Sequence, residues 1–174
     1  SIIGNVPFGN YKLADRRYDR QNFLIHDYFI AKSLDLVRPG GVVAVITSSG
    51  TMDKQNESVR KYLAHRADLL GAVRLPINAF MRNANTGVVA DILFFQKRDR
   101  MSLEEPDWVH LAETKEGYMI NSYFKDHPEM VLGELTTEST QYGRQEVTVK
   151  PVEGAVLAEQ LQEAMGHIHG EITV

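Results

Sequence analysis

Near one end of the sequence stands Gly4-Asn5-Val6-Pro7-Phe8-Gly9. A turn can use the glycines and the proline, but it has no need of Phe8. Asn5 offers a side-chain carbonyl that accepts hydrogen bonds and an amide that donates them. Val6 precedes a proline, so its backbone is biased toward an extended conformation and the direction of its carbonyl is set. Phe8 presents a flat face. Two acceptors and a stacking ring match the exocyclic amino group of a planar base, which must leave a duplex to be reached. The competing reading of Asn5 to Phe8 is a plain strand-to-helix turn.

The elements around this segment decide where it sits. SIIGN reads as the end of a short buried strand, and NFLIHDYFIAKSLDLVRPGG has a helical period. Phe23, Ile30, Leu34 and Val37 share a face of that helix, Asn22 can cap its start, and Pro39-Gly40-Gly41 ends it. VVAVITSSG is an apolar, β-branched run expected to form a strand buried on both faces. Asn56 can cap a second helix running to Arg66. LLGAVRLP and ADILFFQKR read as two further strands separated by the loop INAFMRNANTGVV. This order predicts an α/β fold with a parallel sheet and an antiparallel edge strand. Ligands of such sheets bind beyond the carboxyl ends of the strands, the edge that receives both GNVPFG and TSSG.

Composition shifts near Asp99, which divides the chain into residues 1–100 and 101–174. The first part carries fifteen Lys and Arg against nine Asp and Glu; the second carries four against fourteen. A basic first part permits polyanion binding, and the acidic second part argues against it there. In the second part a short strand is expected at Trp108–Leu111, then the turn-rich INSYFKDHPEMVLGEL and the strand-like EVTVKP. An amphipathic helix follows in EGAVLAEQLQEAMGHI, with a stripe of Leu157, Leu161 and Met165. The absence of cysteine excludes disulfides and thiolate metal sites and fits a reducing, cytoplasmic setting. No apolar run approaches the roughly 20 residues of a membrane span. The six histidines show no ligand spacing, so no metal is expected.

Asn5-Val6-Pro7-Phe8 resembles the catalytic tetrapeptide Asn/Asp-Pro-Pro-Tyr/Phe of the amino-methylating, S-adenosylmethionine-dependent DNA methyltransferases. With GNVPFGNYK, the helix ending in RPGG, VVAVITSSGTMDK and RLPINAF…NTGVVADILFFQKR, the sequence is similar to the N12 class of adenine-N6-specific DNA methyltransferases. These are helicase-associated enzymes of mobile elements and phages. The likeness covers residues to about 100 and continues more weakly through INSYFKDHPEMVLGE. Val6 departs from the usual first proline but keeps the backbone carbonyl that the chemistry uses.

The resemblance implies a partial Rossmann-like S-adenosylmethionine-dependent methyltransferase sheet, the catalytic half, with residues 101–174 as a small α+β appendage. The cofactor, S-adenosylmethionine, belongs to the complete enzyme. The glycine-rich loop that cradles it in the family is absent from this sequence and is expected upstream of Ser1, so no cofactor-binding residue is assigned. Asn5, Val6, Pro7 and Phe8 are the implied catalytic residues. Phe80, Arg82 and Asn85 either help sandwich the base or sit in an ordinary connection. Lys12, Arg16, Arg17 and Arg20 contact phosphates or pair with Asp15 and Asp19. The implied partners are DNA, an upstream cofactor-binding half and helicase-like domains, with self-association through an open sheet edge. Two rivals remain: a non-catalytic module that docks a helicase domain or DNA, and a methylase of RNA or protein glutamine.

Overall fold

In the computed structural model, which describes residues 1–5, 14–17, 23–77, 79, 89–139 and 143–170, the apolar runs form a four-stranded sheet. Its strands are β1 (Ile2–Asn5), β2 (Val42–Ser48), β3 (Ala67–Arg74) and β4 (Ala90–Lys97). Between them lie helices α1 (Ile25–Leu36), α2 (Gly50–Asp53) and α3 (Ser58–Ala64). The expected face of α1, Phe23, Ile30, Leu34 and Val37, is buried. Gly40 ends the turn after it with a left-handed φ of 79°, a conformation that a side chain would disfavour. Asn56 Oδ1 accepts from the Ser58 amide at 3.0 Å, although α3 stops two residues short of Arg66. Asn22 lies outside the described residues.

The strand order is β1-β2-β4-β3. β1 runs parallel to β2, and β4 runs antiparallel to both of its neighbours. The antiparallel strand is therefore interior, which corrects the expected antiparallel edge. The reason lies in the side chains. β4 carries Leu93 and Phe95, fully buried, whereas β3 has an exposed Asp68 and a register shift between Leu69 and Gly71. An irregular strand with an exposed charge tolerates the edge better than an apolar, regular one.

Both parallel crossovers advance in the same direction across the sheet, so right-handed connections place α1 and α3 on one face. That face holds Val43, Val45, Leu93 and Phe95, all buried. The opposite face of β2 is only half-buried, contrary to the expectation of a strand covered on both sides. Ile3, on the same side as Ala44, is 85% exposed.

Beyond β4 the chain returns to the same core. A 3-10 turn at Asp107–Val109 replaces most of the strand expected at Trp108–Leu111, and the strand β5 spans only Leu111–Glu113. Trp108 meets Phe95 with ring centroids 5.8 Å apart. β6 (Met119–Asn121) pairs with β5 and leads into the short α4 (Ser122–Asp126). β7 (Glu134–Ser139) and β8 (Gln145–Lys150) form a second hairpin, and α5 (Leu157–Met165) follows. Ile120, Phe124, Met130, Leu132 and Ala164 join the hydrophobic cluster of the sheet. On α5 the inward stripe runs Leu157, Leu161, Ala164 and on to Ile168, while Met165, expected in that stripe, is 38% exposed. The spacing of four, three and four residues follows the true helical period more closely than steps of four alone.

Ile168 rests on the edge strand at Gly71, where an added Cβ would lie 2.6 Å from Ile168 Cγ1. The Gly71→Ala variant is expected to lose about 1–3 kcal/mol by overpacking. Adding Ile168→Ala should recover much of this, a coupling that urea denaturation of the two single and one double variant measures. Strict additivity would show that the C-terminal segment does not dock there.

Candidate functional site

The carboxyl ends of the three parallel strands are Asn5, Ser48 and Arg74. Asn5 is exposed and stands beside Ile46 in the register of β1 and β2, so its side chain leaves from the face opposite the helices. The chain then leads directly into Val6, Pro7 and Phe8. Those three lie outside the described residues, as do Lys12, Arg20, Phe80, Arg82 and Asn85. Of the expected basic residues, Arg16 and Arg17 are described, and both are exposed. Arg17 Nε lies 3.7 Å from Asp35 on α1. Asp15 turns toward the same helix, accepting from Tyr28 Oη at 2.8 Å, with Lys32 Nζ at 3.5 Å. The Tyr28 hydroxyl, the Arg17 amide and Lys32 hold its carboxyl below the usual range.

At the end of β2, Thr47 is buried and its hydroxyl lies 3.2 Å from that of Thr51, which donates to Asp27 Oδ1 at 3.1 Å. Thr47 is thus tied into α2 as a structural group. Asp27, in the first turn of α1, is 1% exposed, with His26 Nε2 3.5 Å from its Oδ1. Among the described residues, Asp27 Oδ2 and His26 Nδ1 have no hydrogen-bond partner. Burial pushes the Asp27 carboxyl up, against the opposing pull of His26 and Thr51.

The end of β3 is more strongly built. Arg74 is 2% exposed and forks onto two carboxylates. Its Nε and Nη2 donate to Asp91 at 2.8 and 2.9 Å, and its Nη1 and Nη2 donate to Asp53 at 2.6 and 3.0 Å. Its guanidinium carbon lies 4.3 Å from the centroid of the Phe124 ring. Burial by itself would lower the Arg74 pKa, but Asp91 and Asp53 outweigh it and raise it. Burial pushes the Asp91 carboxyl up while Arg74 pulls it down. The two donors on its two oxygens hold it ionised at neutral pH, since a protonated acid would forfeit one of them. Asp53 also accepts from the Asn121 amide at 3.0 Å, and Asn121 Nδ2 donates to the carbonyls of Met52 and Trp108, both at 2.8 Å. A second buried arginine, Arg60, donates to the carbonyls of Val109 at 2.7 Å and Thr51 at 3.2 Å.

Sequence reasoning missed these groups. The available signal was a lone charge at the end of each of two apolar strands, Arg74 in VRLP and Asp91 in VADILFF. Their partner Asp53 stands 21 residues from Arg74 in sequence, too far for pattern reading to connect them.

A profile of N-6 DNA methylases matches residues 2–151. The chain belongs to the N-6 DNA methylase family. Over 113 residues this methylase-family chain is 33% identical to the Defense against restriction protein B of Escherichia phage P1, covering 63% of the chain. It spans only 5% of that relative's length. Among solved structures it is similar to a modification subunit of a putative type I restriction enzyme from Vibrio vulnificus YJ016. There the identity is 20%, the coverage 86% of this chain and 36% of that one, and the TM-score 0.42. It is also similar to the M protein of the type I restriction enzyme EcoKI, with 13% identity, 95% and 47% coverage and a TM-score of 0.45. Among the described residues no group of three or more His, Asp or Glu is arranged to hold a metal ion, and no helix is long and apolar enough to cross a membrane.

Because its native pKa is raised, Asp27 holds its proton more tightly in the folded chain than in the unfolded one. Its contribution to stability therefore falls as pH rises from the ordinary carboxylate range through the raised native value. Asp27→Asn keeps an acceptor for Thr51 and removes this titration. Urea midpoints between about pH 3.5 and about pH 7 should show the variant gaining on the wild type as pH rises. A constant difference would show that Asp27 titrates alike in both states.

Proposed function

We propose that this chain is the catalytic half of a DNA adenine-N6 methyltransferase of the helicase-associated N12 class. The supporting observation is the position of Asn5. It ends a parallel strand, exposed at the carboxyl edge, and opens directly into Val6-Pro7-Phe8 within the matched family region. The Asn5 side-chain carbonyl and the Val6 backbone carbonyl accept hydrogen bonds from the amino group of a flipped adenine. Phe8 stacks on the base. This arrangement makes the nitrogen more electron-rich and fixes its line of attack, so the rate comes from orientation and from acceptors aimed at the developing positive charge. The nitrogen can lose its proton after the attack, so no strongly perturbed base is required.

S-adenosylmethionine supplies the methyl group in the complete enzyme. Near the sheet edge the carboxylates Asp27, Asp53 and Asp91 engage Thr51 and Arg74. None of them is assigned to hold the cofactor. DNA is the proposed substrate, with Lys12, Arg16, Arg17 and Arg20 toward its phosphates and Phe80, Arg82 and Asn85 toward the base. Helicase-like domains are the proposed neighbours in the parent protein, residues 1–100 and 101–174 its catalytic part and appendage, and the cytoplasm its compartment.

In the parent enzyme, Asn5→Ala is expected to abolish methyl incorporation into DNA while leaving the circular dichroism spectrum unchanged. Phe8→Ala should chiefly weaken base binding, by about 1–3 kcal/mol, read by fluorescence of a 2-aminopurine at the target position. Near wild-type incorporation by Asn5→Ala would exclude this mechanism and favour a non-catalytic docking module.

A further inference from the structure

Between the β5–β6 hairpin, α4 and the start of β7 lies a cavity of about 630 Å³ that methyl transfer does not use. Every residue around it falls within 114–135, all of them described. Its floor is apolar: Ile120 and Phe124 are buried, and Val131 and Leu135 are half-buried. The size lies inside the range of about 300–1,000 Å³ typical of ligand sites. One wall is backbone. Gly133, Glu134 and Leu135 line it in succession, as at a strand edge; along a strand face only alternate residues would appear. No residue of β8 lines it, and β8 is the one ladder partner of β7 among the described residues. The cavity therefore borders the unpaired edge of β7, a row of amides and carbonyls without a ladder.

Charge selects the occupant. The wall across from β7 carries Lys115 at the hairpin turn and Lys125 on α4, both exposed and neither in an ion pair among the described residues. They are two of the four basic residues in 101–174, which hold fourteen acidic ones. Glu116 and Glu134 also line the cavity, but Glu134 stands opposite Lys150 in the β7–β8 register, which offsets its charge. A nucleic acid is a poor match, because a polyanion meets the acidic surroundings of 101–174. A second copy pairing through β7 is no better, since ELTTES brings Glu134 and Glu138 to the new ladder with no base to answer them. We propose that this groove takes an extended peptide segment that adds a strand to β7. It sets two alternate apolar side chains over Ile120 and Phe124 and one carboxylate against Lys115 and Lys125. Strand addition draws affinity from main-chain hydrogen bonds and specificity from pockets for alternate side chains. Asn5 plays no part in it.

The probe is the peptide acetyl-Thr-Leu-Thr-Leu-Asp-Thr-amide, titrated into the 174-residue chain and followed by amide chemical shifts. Gly133, Leu135 and Ile120 should shift saturably, and Val43 and Val45 should stay in place. Replacing the aspartate by lysine, or the central threonine by proline, which removes an N–H from the new ladder, should weaken binding about tenfold. The double variant Lys115→Glu with Lys125→Glu, both at exposed positions, should reverse the preference and take the lysine peptide over the aspartate one. Absence of saturable shifts at Leu135 and Ile120 with every one of these peptides at millimolar concentration overturns the site. Equally tight binding of the proline peptide, or of phenylacetate alone, overturns strand addition and marks a small-molecule cavity. Shifts along β7 that follow chain concentration without peptide overturn it in favour of a second copy.

Discussion

The arrangement of this chain turns on one charge taken out of water. Arg74 ends the edge strand of the sheet at 2% exposure, and a guanidinium cannot shed its proton to escape that environment. It persists there because Asp91 across the ladder and Asp53 at the end of α2 each offer two oxygens. Each partner is fixed by different parts of the fold. Asp91 is set by the antiparallel pairing of β4, and Asp53 by a one-turn helix that starts where β2 stops. Asn121, from beyond residue 100, completes the set by donating to Asp53. A single buried cation thus joins the end of α2, the end of β3, the start of β4 and the end of β6.

The handedness of chain connections organises the rest. Two right-handed crossovers in the same direction bury one face of the sheet beneath α1 and α3 and leave the other face half-covered. Asn5 points from that second face, at the open side of β1, whereas the buried polar groups Thr47, Asp27 and Arg74 belong to the covered side. The sheet therefore separates two jobs. Its covered side holds polar groups that fix geometry, and its open side presents the side chain proposed for chemistry. Asp27 marks the cost of this arrangement, a carboxyl with one oxygen unpaired among the described residues and its pKa raised by burial.

Much of the fold was legible in the sequence. The β-branched run Val42–Thr47 and the helical period of α1 specify their elements locally, since side-chain alternation and the 3.6-residue repeat are properties of neighbours in the chain. The place of Asn5 at a strand end was legible for the same reason. Strand order was not. The interior position of β4 depends on comparing the whole burial of Leu93 and Phe95 with the exposed Asp68 and irregular register of β3, a competition between segments rather than a feature of either. The stripe of α5 failed in a similar way, because Ala164 is too small to declare itself an inward residue until Ile168 is seen resting on Gly71.

The sequence by itself determined most of the strands and helices of the four-stranded sheet, where glycine would turn the chain after α1, and that an amide would end the first strand. Those are short-range matters of period, propensity and backbone freedom. Only the tertiary structure decided that Asp53, Arg74, Asp91 and Asn121 would meet. Polar and charged residues scattered over nearly seventy positions carry no mutual signal along the chain. Their partnership is forced only when burial makes an unpaired charge too costly to leave alone.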